Sequence, residues 1–267
     1  MINDTQVPER FKKLLDAELE KYNQGRSIQV RRSIPDTTEI PIEDPRHWLK
    51  IPNIICVFVD MKGSTQLSAS THDTKTAGAY QLFTGTAVRL FSEFECPYID
   101  VRGDGVFALF NEDQPYRALA ATITFKTFVH EYFTPTIKRD TSFEVSGHYG
   151  IDQKTVLVRK LGLKRHGGRT DRQNEVWAGK PVNMASKLAA SAQSGQLLVS
   201  DRFFKSIPHD LARKSCGCPA GEKKELWREI DLSTDPKYDF KTAYSIQSNW
   251  CAQHGTQYCE SILQLDQ

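Results

Sequence analysis

The chain has 267 residues, 39% of them hydrophobic and 25% charged, with a formal net charge of +2. That composition fits one soluble globular domain with decorations, and it supplies no overall field that would draw the chain to nucleic acid or an anionic membrane. No apolar run approaches the ~18 residues a membrane helix needs. The polar stretch Met1 to Arg10 lacks the apolar centre of a signal peptide, so a cytoplasmic protein is expected.

Pro8 to Tyr22 carries Phe11, Leu14, Leu15 and Leu19 at helical spacing and predicts a short amphipathic helix. Asn23 to Asp44 is polar and proline-containing and reads as an extended leader, which Trp48 and Leu49 dock on the main domain. Asn53 to Asp60 is continuously apolar and predicts a buried strand. A long helix is expected over Thr74 to Phe94, then a hairpin of Tyr98 to Arg102 and Val106 to Phe110 about the turn Gly103-Asp104-Gly105. A second helix is expected over Gln114 to Phe133, and two strands over Phe143 to Ile151 and Thr155 to Lys160. Gly162 to Asn174 reads as a charged, glycine-rich loop, Val182 to Ala192 as a helix and Gln196 to Ser200 as a strand. The remaining residues, to Gln267, give no clear pattern. The order β-α-β-β-α-β followed by β-α-β predicts an α+β sandwich, with helices packed on one antiparallel sheet. The expected organisation is a leader over residues 1–50, a catalytic domain over 51–210 and a C-terminal extension of it over 211–267.

Asp60 ends a buried strand and Asp104 sits in the turn of the next hairpin. If those strands are neighbours, the two carboxylates converge and form a hard-oxygen site suited to Mg²⁺ or Mn²⁺. The plainer alternative is a strand-end aspartate and an ordinary turn aspartate. Two features favour the metal reading. Lys62, Gly63, Ser64 and Thr65 lead into a helical region and offer backbone N–H groups to phosphates, and Gly103 and Gly105 permit close backbone approach. Arg159, Lys160, Lys164, Arg165, Arg169 and Arg172 form a basic cluster that is either an anion site or a solvated loop.

Three segments carry a family resemblance. Val57-Phe58-Val59-Asp60-Met61-Lys62-Gly63-Ser64-Thr65 resembles the first metal motif of the class III nucleotidyl cyclases, and Arg102-Gly103-Asp104-Gly105 their second metal turn. Gly179-Lys180-Pro181-Val182-Asn183-Met184-Ala185-Ser186-Lys187 resembles the start of their substrate-orienting helix. The order and spacing match over about Ile51 to Ser200. The resemblance implies a head-to-tail homodimer with active sites at the interface and two metal ions, Mn²⁺ or Mg²⁺, per site. In it Asp60 and Asp104 hold both ions and Met61 adds its carbonyl oxygen. The facing subunit supplies Asn183 to the ribose and Lys187 to the reacting phosphate. Lysine stands there where the family has arginine; it keeps the charge and loses the bidentate fork. A lysine that grips the terminal phosphates is also implied, and Lys223 and Lys224 are the candidates.

Base recognition is expected from Asp100, Arg102 and Val176. Strand alternation puts Asp100, Arg102 and Asp104 on one face, where an acceptor beside a donor suits the N–H and carbonyl edge shared by uracil and guanine. An Asp100–Arg102 pair that contacts no base is the alternative. His47 to Pro52, the D-M-K-G-S-T run, Glu175 to Asn183 and Trp250 to Gly255 together resemble the pyrimidine cyclases of the Pycsar anti-phage system. That implies a cyclic UMP or cyclic CMP synthase whose product activates a separate effector. UTP is favoured because Arg102 can only donate. Cytidylate cyclase, guanylate cyclase and a non-catalytic nucleotide-binding module stay open. Of the six cysteines, Cys56 reads as core. Cys216, Cys218, Cys251, His254 and Cys259 are soft ligands at a non-standard spacing, read either as ordinary thiols or as a structural zinc site.

Overall fold

The computed structural model describes residues 7–42, 44–163 and 172–266. Its elements, in chain order, begin with α1 (Glu9–Asn23), β1 (Ser27–Val30), β2 (His47–Lys62), α2 (Ser64–Ser70) and α3 (Asp73–Glu93). The hairpin β3 (Tyr98–Arg102) and β4 (Gly105–Phe110) follows, then α4 (Pro115–Phe128), α5 (Thr134–Thr141), β5 (Ser146–Leu163) and β6 (Arg172–Gly179). The last elements are α6 (Lys180–Ser191), β7 (Leu197–Ser200), α7 (Asp201–Ser206), α8 (Asp210–Arg213), β8 (Arg228–Asp231), β9 (Thr242–Ile246) and α9 (Gly255–Leu263). One sheet runs β3-β4-β2-β5-β7-β9-β8, with β1 beside β2 and β6 beside β5. The β1–β2 and β5–β7 pairs are parallel and the others antiparallel. This is the α+β architecture expected, an open sheet flanked by helices.

The central strand β2 is apolar on both faces because both are covered. Ile55, Val57, Val59 and Met61 point into the large core under α3 and α4, where Phe83, Phe91 and Phe125 are fully buried. Ile54, Cys56, Phe58 and Asp60 point to the opposite face, whose smaller core holds Tyr98, Phe107, Trp177 and Ala185. There α6 lies directly on β5 at Gly150. A Cβ on that glycine would stand 2.0 Å from the Ala185 carbonyl oxygen, so only glycine lets the helix approach.

Several elements differ from expectation. The two strands expected before and after Asp152 are one, β5, because β2 takes up the irregularity with a bulge between Ile51 and Ile54, where Asn53 has φ 52°. The expected loop Gly162 to Asn174 belongs in part to β5 and β6, with residues 164–171 outside the described region. The expected second helix ends as α4 and passes through a π-helical turn, Val129–Phe133, into α5. Pro135 has no N–H to give the Glu131 carbonyl, and the Thr134 N–H reaches back to Val129. Helix α1 forms as expected, yet none of its residues is buried, and Leu14, Leu19 and Tyr22 are exposed.

Arg159 is no loop cation. It is buried, and its guanidinium donates to the carbonyls of Pro45, Ile42 and Lys160 and lies 5.8 Å from the Trp48 ring centroid. It fixes the leader to β5. Lys160 pairs with Glu175 at 3.8 Å. Lys164, Arg165 and Arg169, and the side chain of Arg172, lie outside the described residues.

Candidate active site

The register of four strands builds the site. Across the sheet, Arg102 of β3 faces Gly105 of β4, Gly105 faces Asp60 of β2, and Asp60 faces His148 of β5. The next row is Asp100, Phe107, Phe58 and Gly150. Asp60, Asp100 and Arg102 therefore share the face opposite the main helical core. Gly105 keeps the first row open: a Cβ there would sit 2.9 Å from Asp60 Oδ1 and 3.0 Å from the Phe58 ring. The half-buried Asp104 occupies the turn next to it, where Gly103 has φ 66°. The two aspartates are thus brought to one corner of the sheet.

The Asp60 carboxylate is anchored on one side only. Its Oδ2 lies 3.0 Å from His148 Nε2, while Oδ1 has no hydrogen-bond partner among the described residues. The His148 ring is largely enclosed and its Nδ1 is buried without a partner. Nothing in the local sequence pointed to this histidine. It is reached only through the β2–β5 register, 88 residues from Asp60.

Gly63 adopts φ 93° and ends β2 so that α2 can start at Ser64. Lys62 and Thr65 are exposed and Ser64 is buried. The Leu67 N–H closes the first helical bond to Gly63, which leaves the N–H groups of Ser64 and Thr65 without helical acceptors. Met61 buries its side chain in the helical core, so its backbone is what the rim can use.

A cavity of about 450 Å³ opens on the same face. Phe58, Phe107, Trp177, Val176 and Val182 make its apolar lining, and Arg102, Asn174, Glu175, Asn183 and Ser186 its polar one. The expected base-recognition residues Arg102 and Val176 and the expected ribose residue Asn183 therefore meet in one pocket of one chain. Asp60 and Asp104 stand outside its lining. Asp100 and Arg102 form an ion pair at 2.6 Å, with Arg102 more than half exposed.

The exposed Lys187 reaches sideways, donating to the Lys237 carbonyl at 2.9 Å. The loop that receives it is held by a buried charge network. Arg202 grips Asp152 at 2.6 and 2.9 Å and Asp239 at 2.9 and 3.0 Å, while Lys154 and Lys180 also reach Asp239. Burial works against the Asp239 charge, but hydrogen bonds from Arg202, Lys154 and Lys180 hold its carboxyl well below the usual range. Lys180 opens α6, so this network fixes the helix that carries Asn183 and Lys187. Removing one partner of its buried pair, Arg202–Asp152, costs about 3–5 kcal/mol. Lys223 and Lys224 are exposed in the segment between α8 and β8, with the Lys224 N–H bonded to Ser215 Oγ. That places them beside the cysteine cluster and away from the β2–β4 corner.

No family model matches the chain. Two relatives do. A uridylate cyclase from Propioniciclava tarda is 36% identical over 233 residues, covering 84% of this chain and 73% of the relative. One from Micromonospora echinofusca is 32% identical over 234 residues, covering 86% and 75%. Among solved structures, the adenylyl cyclase CyaB from P. aeruginosa superposes with a TM-score of 0.60 at 14% identity, over 76% of this chain and 96% of that one. The guanylate cyclase domain of RhGC from Catenaria anguillulae in complex with GTP gives 0.58 at 15%, over 75% and 98%. The structures share the fold, and by its sequence the chain belongs to the family of these two relatives, the pyrimidine nucleotide cyclases of the class III fold.

Proposed function

We propose that this cyclase converts UTP to 3′,5′-cyclic UMP and pyrophosphate. The observation that carries the reading is that one face of the sheet presents the two halves such a reaction needs, a carboxylate corner at Asp60 in the cross-strand row Arg102–Gly105–Asp60 and a nucleoside-sized pocket lined by Arg102, Val176 and Asn183. The pocket's aromatic lining suits a flat base, and the Arg102 donors suit a carbonyl oxygen, with Asp100 alongside as acceptor. The name of the two relatives supports uracil over the other bases.

The metal corner fits two divalent ions, Mn²⁺ or Mg²⁺. Asp60 keeps Oδ1 free, Gly105 leaves the space beside it empty of side chain, and the Met61 carbonyl and Asp104 complete an all-oxygen donor set. When bound, such ions activate the ribose 3′-hydroxyl and neutralise the triphosphate. The chain's own residues then do positioning work. The N–H groups about Gly63, Ser64 and Thr65, with Lys62, receive phosphate oxygens. Asn183 orients the ribose, and Lys187 swings from its Lys237 carbonyl to the α-phosphate. The 3′-hydroxyl gives up its proton to water, a bond forms between O3′ and the α-phosphorus, and the bond from that phosphorus to the pyrophosphate oxygen breaks.

Asp60 and Asp104 lie outside the pocket that Arg102, Val176 and Asn183 line, so each chain carries two different half-sites. A head-to-tail homodimer would pair the metal corner of one copy with the pocket of the other and complete two sites. We take the product to be a second messenger made in the cytoplasm during phage infection and read by a separate cyclic-nucleotide-activated effector. The resemblance to the Pycsar cyclases supports this role. Among the described residues no helix is long and apolar enough to cross a membrane. The test is incubation of the purified chain with each of the four ribonucleoside triphosphates and Mn²⁺, read by mass spectrometry. Cyclic UMP from UTP as the dominant product is expected. Cyclic CMP or cyclic GMP as the main product would reassign the base, and no cyclic product from any of the four would reject the reading.

A further inference from the structure

The side chains of Cys216, Cys218, Cys251 and His254 come together although 32 residues separate Cys218 from Cys251. One ligand atom from each lies within 4.8 Å of every other. A tetrahedral zinc site with Zn–S bonds of about 2.3 Å has sulfurs about 3.8 Å apart, so the cluster already has close to the required size. Cys218 Sγ stands 3.1 Å from His254 Nδ1 and Cys251 Sγ 4.0 Å from it.

Two tight turns present the four groups. In the first, Gly217 sits between the two cysteines at φ 95°, a conformation that lets both thiols point to one side. Its carbonyl accepts from the Gly221 N–H at 2.6 Å. The flanking chain closes as a small hairpin through Ser215 N–H to the Lys224 carbonyl and a Lys214–Glu225 bridge. In the second, the Gly255 N–H reaches the Cys251 carbonyl at 2.7 Å and closes the turn that carries His254.

We propose that Cys216, Cys218, Cys251 and His254 hold a structural zinc ion that staples α9 to the segment between α8 and β8. Four protein ligands leave no open position, which marks a structural site. Thiolate and imidazole donors select zinc over the Mn²⁺ or Mg²⁺ suited to the oxygen corner at Asp60. The two sites also lie on opposite faces of the sheet, since α9 packs on α4 through the main core while Asp60 points away from it. The local need is visible. Residues 218–225 of the hairpin are exposed, so little apolar burial holds that turn. Cys259 does not join the cluster; it approaches Thr124 of α4, and burial pushes its thiol up.

Elemental analysis of the full-length protein, purified from zinc-supplemented medium and passed over a chelating resin, tests the proposal. About one zinc per chain is expected, with X-ray absorption showing three sulfurs and one nitrogen. Cys218→Ser and Cys251→Ser should lose it, while Asp60→Asn and Cys259→Ser should keep it. If the cysteine variants prove insoluble, the reduced wild-type chain stripped of metal should take up Co²⁺ with the absorption of a tetrahedral thiolate site. Less than about a tenth of an equivalent of zinc without Co²⁺ uptake, or a Cys216, Cys218 or Cys251 disulfide in the active protein, would overturn it.

Discussion

The two faces of the sheet are finished differently. Under α3 and α4 the chain closes on itself: Phe83, Phe91, Phe110, Phe125 and Phe133 are fully buried, and even Lys126 has its ammonium capped by the carbonyls of Gln247 and Ser248 and by Asn249 Oδ1. On the α6 face, Arg102, Asn183 and Lys187 are exposed, and the Asp60 carboxylate is bonded on one oxygen only. Buried polar groups are normally satisfied within their own chain. The α6 face instead sets exposed charge beside an open aromatic pocket, which is what the proposed ligand, metal and second copy would need. The larger core lies on one side of β2, and a smaller core together with the proposed chemistry on the other, with alternate residues of the same strand serving each.

That division can be broken most sharply at the metal corner. Asp60→Asn or Asp104→Asn removes a charge from the chemical face and nothing from the helical core. The expected loss of turnover is at least about 10³-fold, which corresponds to about 4 kcal/mol of transition-state stabilisation. Thermal unfolding should stay within a few degrees of wild type. A variant that loses its fold along with its activity would show that the corner serves stability after all.

The half-site arrangement is exposed by mixing. Asp60→Asn and Asn183→Ala should each be inactive alone. If the two residues serve one site from different chains, co-refolded mixtures contain dimers with one intact site. Activity then recovers to about a quarter of wild type, because half the dimers are mixed and each has one of two sites whole. Mixtures as inactive as their parts would place both residues in one chain's site.

The same division explains what the sequence could disclose. Asp60, Asp104 and Asn183 lie in short contiguous motifs, because each is presented by a turn or helix start whose glycines must be adjacent in sequence. The buried strand, the hairpin and α3 were legible for a similar reason, since their apolar periods are local. What is set by register was not legible. His148 and the Asp152–Arg202–Asp239 network are assembled from distant strands. Strands β6 and β8 are polar and half-exposed, without the alternation that signals a strand, and β8 shows only Ile230 inward. The Asp152-Gln153-Lys154 run has turn chemistry, yet β5 passes straight through it because the bulge needed is in β2.

His148 offers the smallest and most discriminating effect. It lies on the chemical face, holds Asp60 Oδ2 and has its own Nδ1 enclosed, so it acts through the aspartate rather than on the substrate. Outer partners of this kind typically contribute about 10–100-fold to metal affinity, and the exposed rim argues for about 10-fold here. His148→Ala should therefore shift the Mn²⁺ activation curve to higher concentration while kcat at saturating Mn²⁺ stays near wild type, and His148→Gln, whose amide can replace Nε2 as donor to Oδ2, should keep the midpoint close to wild type. A purely structural histidine would behave otherwise: its removal would lower the unfolding temperature and leave the Mn²⁺ midpoint where it was. The titration thus separates a residue that belongs to the core from one that steadies the metal corner, on a strand whose neighbouring side chain, Tyr149, is buried in the opposite face.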